Sequence, residues 1–317
     1  MSFLFRLLAV GFLGAGVVRA ADAPAPVDAD PARWQLAWED QFLAEGPPDP
    51  AKWTIETGVH FNNEKQNYVA DPKNVRVEGG NLVITCLKDS GDKGHPFTSA
   101  RLITKGKAQW TYGRFEAEIK LPKGRGSWPA FWMLGDSANY GGWPRCGEID
   151  IMENVGYDPA KIHGTIHTGA FNWPKHSQKG NHIEVPDNED AFHVYAVEWL
   201  PKGISFFVDG TKYFTFPNTN TGDSEQWPFD KPAFLLLNYA IGGDWGGVKG
   251  IDDSVLPQSM LVHYVRVYKP TEAALAEVLD PNDPTVDSSV SQFGVKTESK
   301  PKPPAPAPDP NAPAPAS

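Results

Sequence analysis

From Gly113 to Lys120, apolar Phe115, Ala117 and Ile119 alternate with Arg114, Glu116, Glu118 and Lys120. A period of two puts successive side chains on opposite faces of a strand, and one apolar face with one charged face is the signature of an antiparallel sheet covered on one side. Short β-branched or aromatic runs recur at Leu82–Thr85, Ile204–Gly210 and Tyr264–Tyr268, separated by clusters of glycine, proline and asparagine. Long helical periodicity is absent. The stretch from Trp34 to Lys269 is therefore expected to be all-β, a two-sheet antiparallel β-sandwich or jelly roll, and is long enough for one domain with a substantial core.

The ends read differently. Arg6, the apolar run Leu7–Val18 and the small-residue site Val18-Arg19-Ala20 form a signal-peptide pattern over residues 1–20, which predicts a secreted or periplasmic protein. That run is shorter than the roughly 20 apolar residues of a membrane span, so no membrane attachment is expected after cleavage. Residues 21–33, rich in Ala, Pro and Asp, read as a flexible leader. Residues 270–317 read as a Pro-rich tail or linker, with one or two helical turns around Glu272–Leu279 and a spacer from Lys300 onward.

A net charge of −10 and a pI near 5.3 disfavour nucleic acid and anionic membranes as partners and fit a neutral polymer better. A monomer is expected. With two cysteines, Cys86 and Cys146, the chain has neither a disulfide scaffold nor a cysteine zinc cluster, and the two are read as unpaired. No G-x-S-x-G elbow or phosphate-binding glycine loop is present.

The chemistry concentrates in Gly147-Glu148-Ile149-Asp150-Ile151-Met152-Glu153, three acids in an otherwise apolar strand. An exposed edge would solvate such acids, but Ile149, Ile151 and Met152 argue against one. Glu148 and Asp150 share a face, whereas Glu153 falls on the opposite face unless a bulge near Ile151-Met152 absorbs one residue. With the bulge, the two glutamates stand roughly 13 Å apart at Cα, four steps of about 3.3 Å. If both long side chains lean inward, the carboxyl groups end about 5 to 6 Å apart, the spacing at which one acts as nucleophile and the other as acid then base in retaining glycoside hydrolysis. Asp150 between them would couple their titration.

Upstream, Trp128 and Trp132 are four residues apart in Gly126–Gly135 and so share a face of an extended strand. Their broad apolar rings suit the C–H face of a sugar, and their N–H groups suit a hydroxyl. Trp245, in a glycine-rich loop, reads equally as groove or core. On His163-Gly164-Thr165-Ile166-His167 the two histidines share a face; His167 is expected to meet the acids or a sugar, while His163 reads equally as structural.

At these residues the sequence strongly resembles glycoside hydrolase family 16, and within it the bacterial laminarinases, from about Trp34 to Lys269. The resemblance rests on Trp128–Leu134, Gly147–Glu153, His163–His167 and Tyr264–Tyr268. It implies a concanavalin A-like jelly roll and a retaining endo-glycosidase acting on β-1,3-glucan, with mixed-linkage β-1,3-1,4-glucan as a further substrate. Glu148 matches the nucleophile, Glu153 the acid/base and Asp150 the assisting carboxylate; Trp128 and Trp132 match sugar-contacting positions. Asn62 and Arg101 look like substrate-binding positions, although the residues alone suggest a turn and a surface charge.

No cofactor is expected. Many members hold a structural calcium with an aspartate in the closing strand, where this chain has His263, a poor ligand for a hard ion. Two rival readings stay open: a related hydrolase of lichenan or an agar-type galactan, and a non-catalytic β-glucan-binding protein on the same fold, which the presence of both glutamates disfavours.

Overall fold

The computed structural model describes residues 29–290 apart from 60, 90, 92 and 281. The signal-peptide pattern, most of the leader and the spacer lie outside the described residues. Seventeen strands follow one another among those described: β1 (Trp34–Asp40), β2 (Thr54–Glu56), β3 (Gln66–Tyr68), β4 (Val75–Glu78), β5 (Asn81–Cys86), β6 (Phe97–Ser99), β7 (Arg101–Ile103), β8 (Gly113–Lys120), β9 (Ser127–Gly135), β10 (Glu148–Glu153), β11 (Lys161–His167), β12 (Lys179–Glu184), β13 (His193–Leu200), β14 (Gly203–Val208), β15 (Thr211–Pro217), β16 (Ala233–Ile241) and β17 (Gln258–Pro270).

One sheet has the order β15-β14-β13-β8-β17-β5-β4, with β1 also pairing with β17; the other has the order β12-β11-β10-β9-β16-β7-β2. Between named strands, parallel pairing is confined to the small sheet β3–β6. The α-helices are single turns, α1 (Ser137–Tyr140) and α2 (Glu272–Leu275), and no described helix is long and apolar enough to cross a membrane. The expected two-sheet antiparallel jelly roll is the fold observed.

The core lies between the sheets because alternate residues of both point there. Phe115, Ala117 and Ile119 of β8 and Val265 and Val267 of β17 meet Phe131 and Met133 of β9, Ile149 of β10 and Leu235 and Leu237 of β16 in one buried cluster. Cys86 and Cys146 are buried and unpaired.

Three expectations change. The charged face of β8 is not solvated: Arg114, Glu116 and Glu118 are buried. Long side chains from neighbouring elements cover and pair them. Arg114 donates to Glu116 and Glu198, Tyr268 donates to Glu116, and His263 Nδ1 lies 2.6 Å from Glu118. The leader reading also ends early, because Arg33 is held by Glu198 and Glu277. Finally, residues 271–280 and 282–290 pack on the body instead of forming a loose tail: after the single turn of α2, Thr285 and Asp287 bond the backbone of Thr215 in β15, and Val290 enters the core.

Candidate active site

Glu148, Asp150 and Glu153 reach one face of β10 because the strand bulges. Against β11, Asp150 is opposite Thr165 and Glu153 is opposite His163, with the register shift between them; against β9 the shift falls between Asp150 and Met152. The bulge sends two consecutive residues, Ile151 and Met152, into the core beside Ile149. Glu153 thereby returns to the face of Glu148 and Asp150. The strand start is fixed by Gly147 at φ +80°, where a Cβ would come within 2.7 Å of Pro228.

Around Glu148 several groups favour its ionised form: the Trp143 indole, a hydrogen bond from the Asp150 carboxyl, and the charge of Arg101. Burial, followed by repulsion from Glu153, pushes the other way and raises the carboxyl above its ordinary range. Asp150 is raised well above the usual aspartate range by burial and by its two glutamate neighbours, which keeps it a proton donor toward Glu148. Burial likewise raises Glu153; the Trp128 Nε1–H donates to its Oε1 at 2.9 Å and partly offsets this, while the charge of Glu64 adds to it. His167 Nε2 lies 3.4 Å from Asp150 and 3.8 Å from Glu148, and burial pushes the imidazole down to about 4, so it stays neutral near pH 7. The ligand atoms of Glu148, Asp150 and His167 all lie within 4.8 Å of one another, which is where a cation would meet two carboxyls and an imidazole.

The half-buried Trp128 and Trp132 share the outer face of β9. Trp132 donates to Asn238 at 2.7 Å, and the Arg101 guanidinium lies 4.9 Å from its ring. Arg101 is thus no surface charge: it is buried and bonds Glu56 at 2.7 Å. Trp245 packs edge-on against both Trp128 and His163, at 5.6 and 5.0 Å between ring centroids. Asn62 occupies a left-handed turn position at φ +60°, and its carbonyl accepts from the amide of Asp244, clasping the Trp245 loop. The nine residues expected from the sequence to act or bind gather on or beside one face of the seven-stranded sheet, with His163 beside Trp245. Trp143, Glu64, Tyr68 and Asn238 join them without having been singled out.

A bulged acid triad flanked by indoles is a glycosidase arrangement, and residues 62–256 match the family model of glycosyl hydrolases family 16. The chain belongs to that family. Among family 16 relatives, a beta-glucanase of Rhodothermus marinus is 49% identical over 245 residues, covering 74% of this chain and 85% of that protein. The X-ray structure of the laminarinase from Rhodothermus marinus superposes with a TM-score of 0.73 at 49% identity, over 75% of this chain and 98% of that one. A mutant of a non-specific endo-beta-1,3(4)-glucanase of the same family, co-crystallised with 1,3-beta-D-cellotriosyl-glucose and presenting a 1,3-beta-D-cellobiosyl-glucose at its active site, superposes with a TM-score of 0.72 at 45% identity, over 76% and 96% of the two chains.

Proposed function

We propose that the protein is an exported, monomeric, retaining endo-β-1,3-glucanase that also cuts mixed-linkage β-1,3-1,4-glucan. The observation that carries the mechanism is the bulge of β10, which turns Glu148, Asp150 and Glu153 to one face of the strand. Burial raises both glutamates, so the roles rest on the match of this motif to that of family 16, in which Glu148 stands at the nucleophile and Glu153 at the acid/base. Glu148 is accordingly the nucleophile and Glu153 the proton donor.

In the first step a Glu148 oxygen attacks the anomeric carbon, the bond to the leaving oxygen breaks, and Glu153 gives that oxygen its proton. In the second, Glu153 takes a proton from water as the water oxygen attacks the same carbon and releases Glu148. Two carboxyl groups and water balance both steps. The indoles of Trp128 and Trp132 give a neutral glucan its stacking surface, and Arg101, Asn62, His167 and Trp245 complete the site. His263, held against Glu118, disfavours a calcium ion at that strand.

The substrate class is supported by the laminarinase and beta-glucanase relatives, and the mixed-linkage activity by the non-specific glucanase. The test is reducing-end release from laminarin, lichenan and agarose by wild type and by Glu148→Ser. Cleavage of laminarin, with weaker cleavage of lichenan and a loss of about a thousandfold or more in the variant, is expected. Activity on agarose alone would overturn the specificity, and an active variant would overturn the assignment of the nucleophile.

A further inference from the structure

Glu64 is a fourth acid at this site, buried at 8% exposure and outside the reacting trio. Its Oε2 accepts from Gln66 Nε2 at 2.5 Å and Tyr68 Oη at 3.3 Å, and its Oε1 accepts from Asn62 Nδ2 at 3.4 Å. Tyr68 Oη in turn accepts from Asn238 Nδ2 at 3.1 Å, and Asn238 Oδ1 accepts from the Trp132 indole. Two intermediaries thus connect Glu64 to one tryptophan of the platform.

A second connection runs to the other tryptophan. The Glu64 segment is stitched to the end of β16, where Lys65 N donates to the Ile241 carbonyl and Ile241 N donates to Gln66 Oε1. Two residues on, Gly243 has φ +76°, and a Cβ there would stand 3.2 Å from Glu64 Cγ and 3.3 Å from Trp128 Cζ3. Glu64 and Trp128 therefore both close on the space that a side chain at Gly243 would occupy, and Trp128 is the ring that holds Glu153. Burial raises the Glu64 carboxyl above its ordinary range, while its hydrogen bonds and the charge of Arg101 act the other way and favour the ionised form. Here its direct hydrogen bonds come from neutral groups, with Arg101 as the nearby cation.

We propose that Glu64 is a positioning residue of this site, which orients Trp132 through Tyr68 and Asn238, seats Trp128 through Gly243, and supplies a negative charge on the side of the acid/base. The inference rests on the hydrolytic reading above. The charge bears on Glu153 by strengthening its hold on its proton. The other titratable and charged groups at the site are Glu148 and Asp150 on β10, His163 and His167 on β11, and Arg101 on β7 with its partner Glu56, all of which the variants retain.

The experiment compares wild type with Glu64→Gln, Glu64→Ala and Tyr68→Phe, measuring kcat, KM and the pH profile of kcat/KM on laminarin, with thermal melts to confirm folding. Glu64→Gln keeps size and, with its oxygen toward Gln66 and Tyr68, the bonds that lead to Trp132, while it gives up the bond from Asn62 and removes the charge: KM is expected within about twofold of wild type, with the alkaline limb moved down by about half a pH unit. Glu64→Ala is expected to raise KM about tenfold, and Tyr68→Phe to raise it a few-fold (roughly threefold) without moving the limb. If Glu64→Ala does not fold, the other two variants decide. A folded Glu64→Gln with the wild-type profile, or Tyr68→Phe with wild-type KM, overturns the inference. Failure of the wild type itself to cut laminarin overturns the functional reading as well, which separates the two failures.

Discussion

At Glu153 one hydrogen bond and one neighbouring charge act in opposite directions. The Trp128 N–H favours the carboxylate, and the charge of Glu64 favours the acid. Removing the donor while keeping a ring, as in Trp128→Phe, therefore raises the proton affinity of Glu153. Because Glu153 must carry its proton into the first step, the alkaline limb of kcat/KM is expected to move up by about half to one pH unit, opposite to the effect of Glu64→Gln. A pH titration of initial rates on laminarin checks this; an acidward shift would mean that Trp128 does not control the proton donor. Trp128 and Trp132 were legible because spacing alone assigns them a face of one short strand, and Glu153 because the apolar pair Ile151-Met152 signals the bulge that returns it to the face of Glu148. Asn238 carried a signal too, as a lone amide in the apolar run Ala233–Ile241, and Glu64, Gln66 and Tyr68 alternate. Their joint role was not legible, because the network closes across segments about 170 residues apart.

Among the elements, β10 depends most on a local irregularity. Deleting Met152 would leave glutamate, isoleucine, aspartate, isoleucine and glutamate in strict alternation, so the second glutamate would stay on the site face at the same four steps from the first. Deleting Ile151 and Met152 together would turn it into the core. Reducing-end assays and melts should therefore find the single deletion less stable by about 2–5 kcal/mol, the cost of losing a buried methionine, yet measurably active. The double deletion should be inactive. A single deletion that folds but is as inactive as the double would show that the bulge sets reach as well as face. The bulge was legible in the sequence because apolar residues at 151 and 152 break the alternation. The burial of the charged face of β8 was not, since a pattern reports the chemistry of a strand and not what lies over it. Here Arg33 arrives from the N-terminal turn, Glu198 from β13 and Tyr268 from β17.

For the whole molecule, the segment after α2 links the two sheets at their edges. β15 is an edge strand of one sheet and β12 of the other. Thr215 of β15 pairs with the backbone at Thr285 and Asp287, Lys212 pairs with Asp283, and Lys179 of β12 donates to Ser289 at 2.8 Å. Farther back along the strap, Leu279 packs against Gly203. Truncation after Pro270 would uncover the β15 edge, remove Val290 from the core and release Arg33 from Glu277, so a Tm lower by about 5–10 °C is expected. Hydrolysis at room temperature should persist, because β9, β10 and β11 keep their partners within the site sheet. Truncation after Lys300 instead removes residues 301–317 and, on the spacer reading, should leave both Tm and hydrolysis of soluble glucan unchanged. Melting curves and laminarin rates of the two truncations separate the roles: an unchanged Tm in the longer truncation would mean that the strap contributes nothing to stability, and a large loss of activity in the shorter one would mean that the terminal residues take part in hydrolysis.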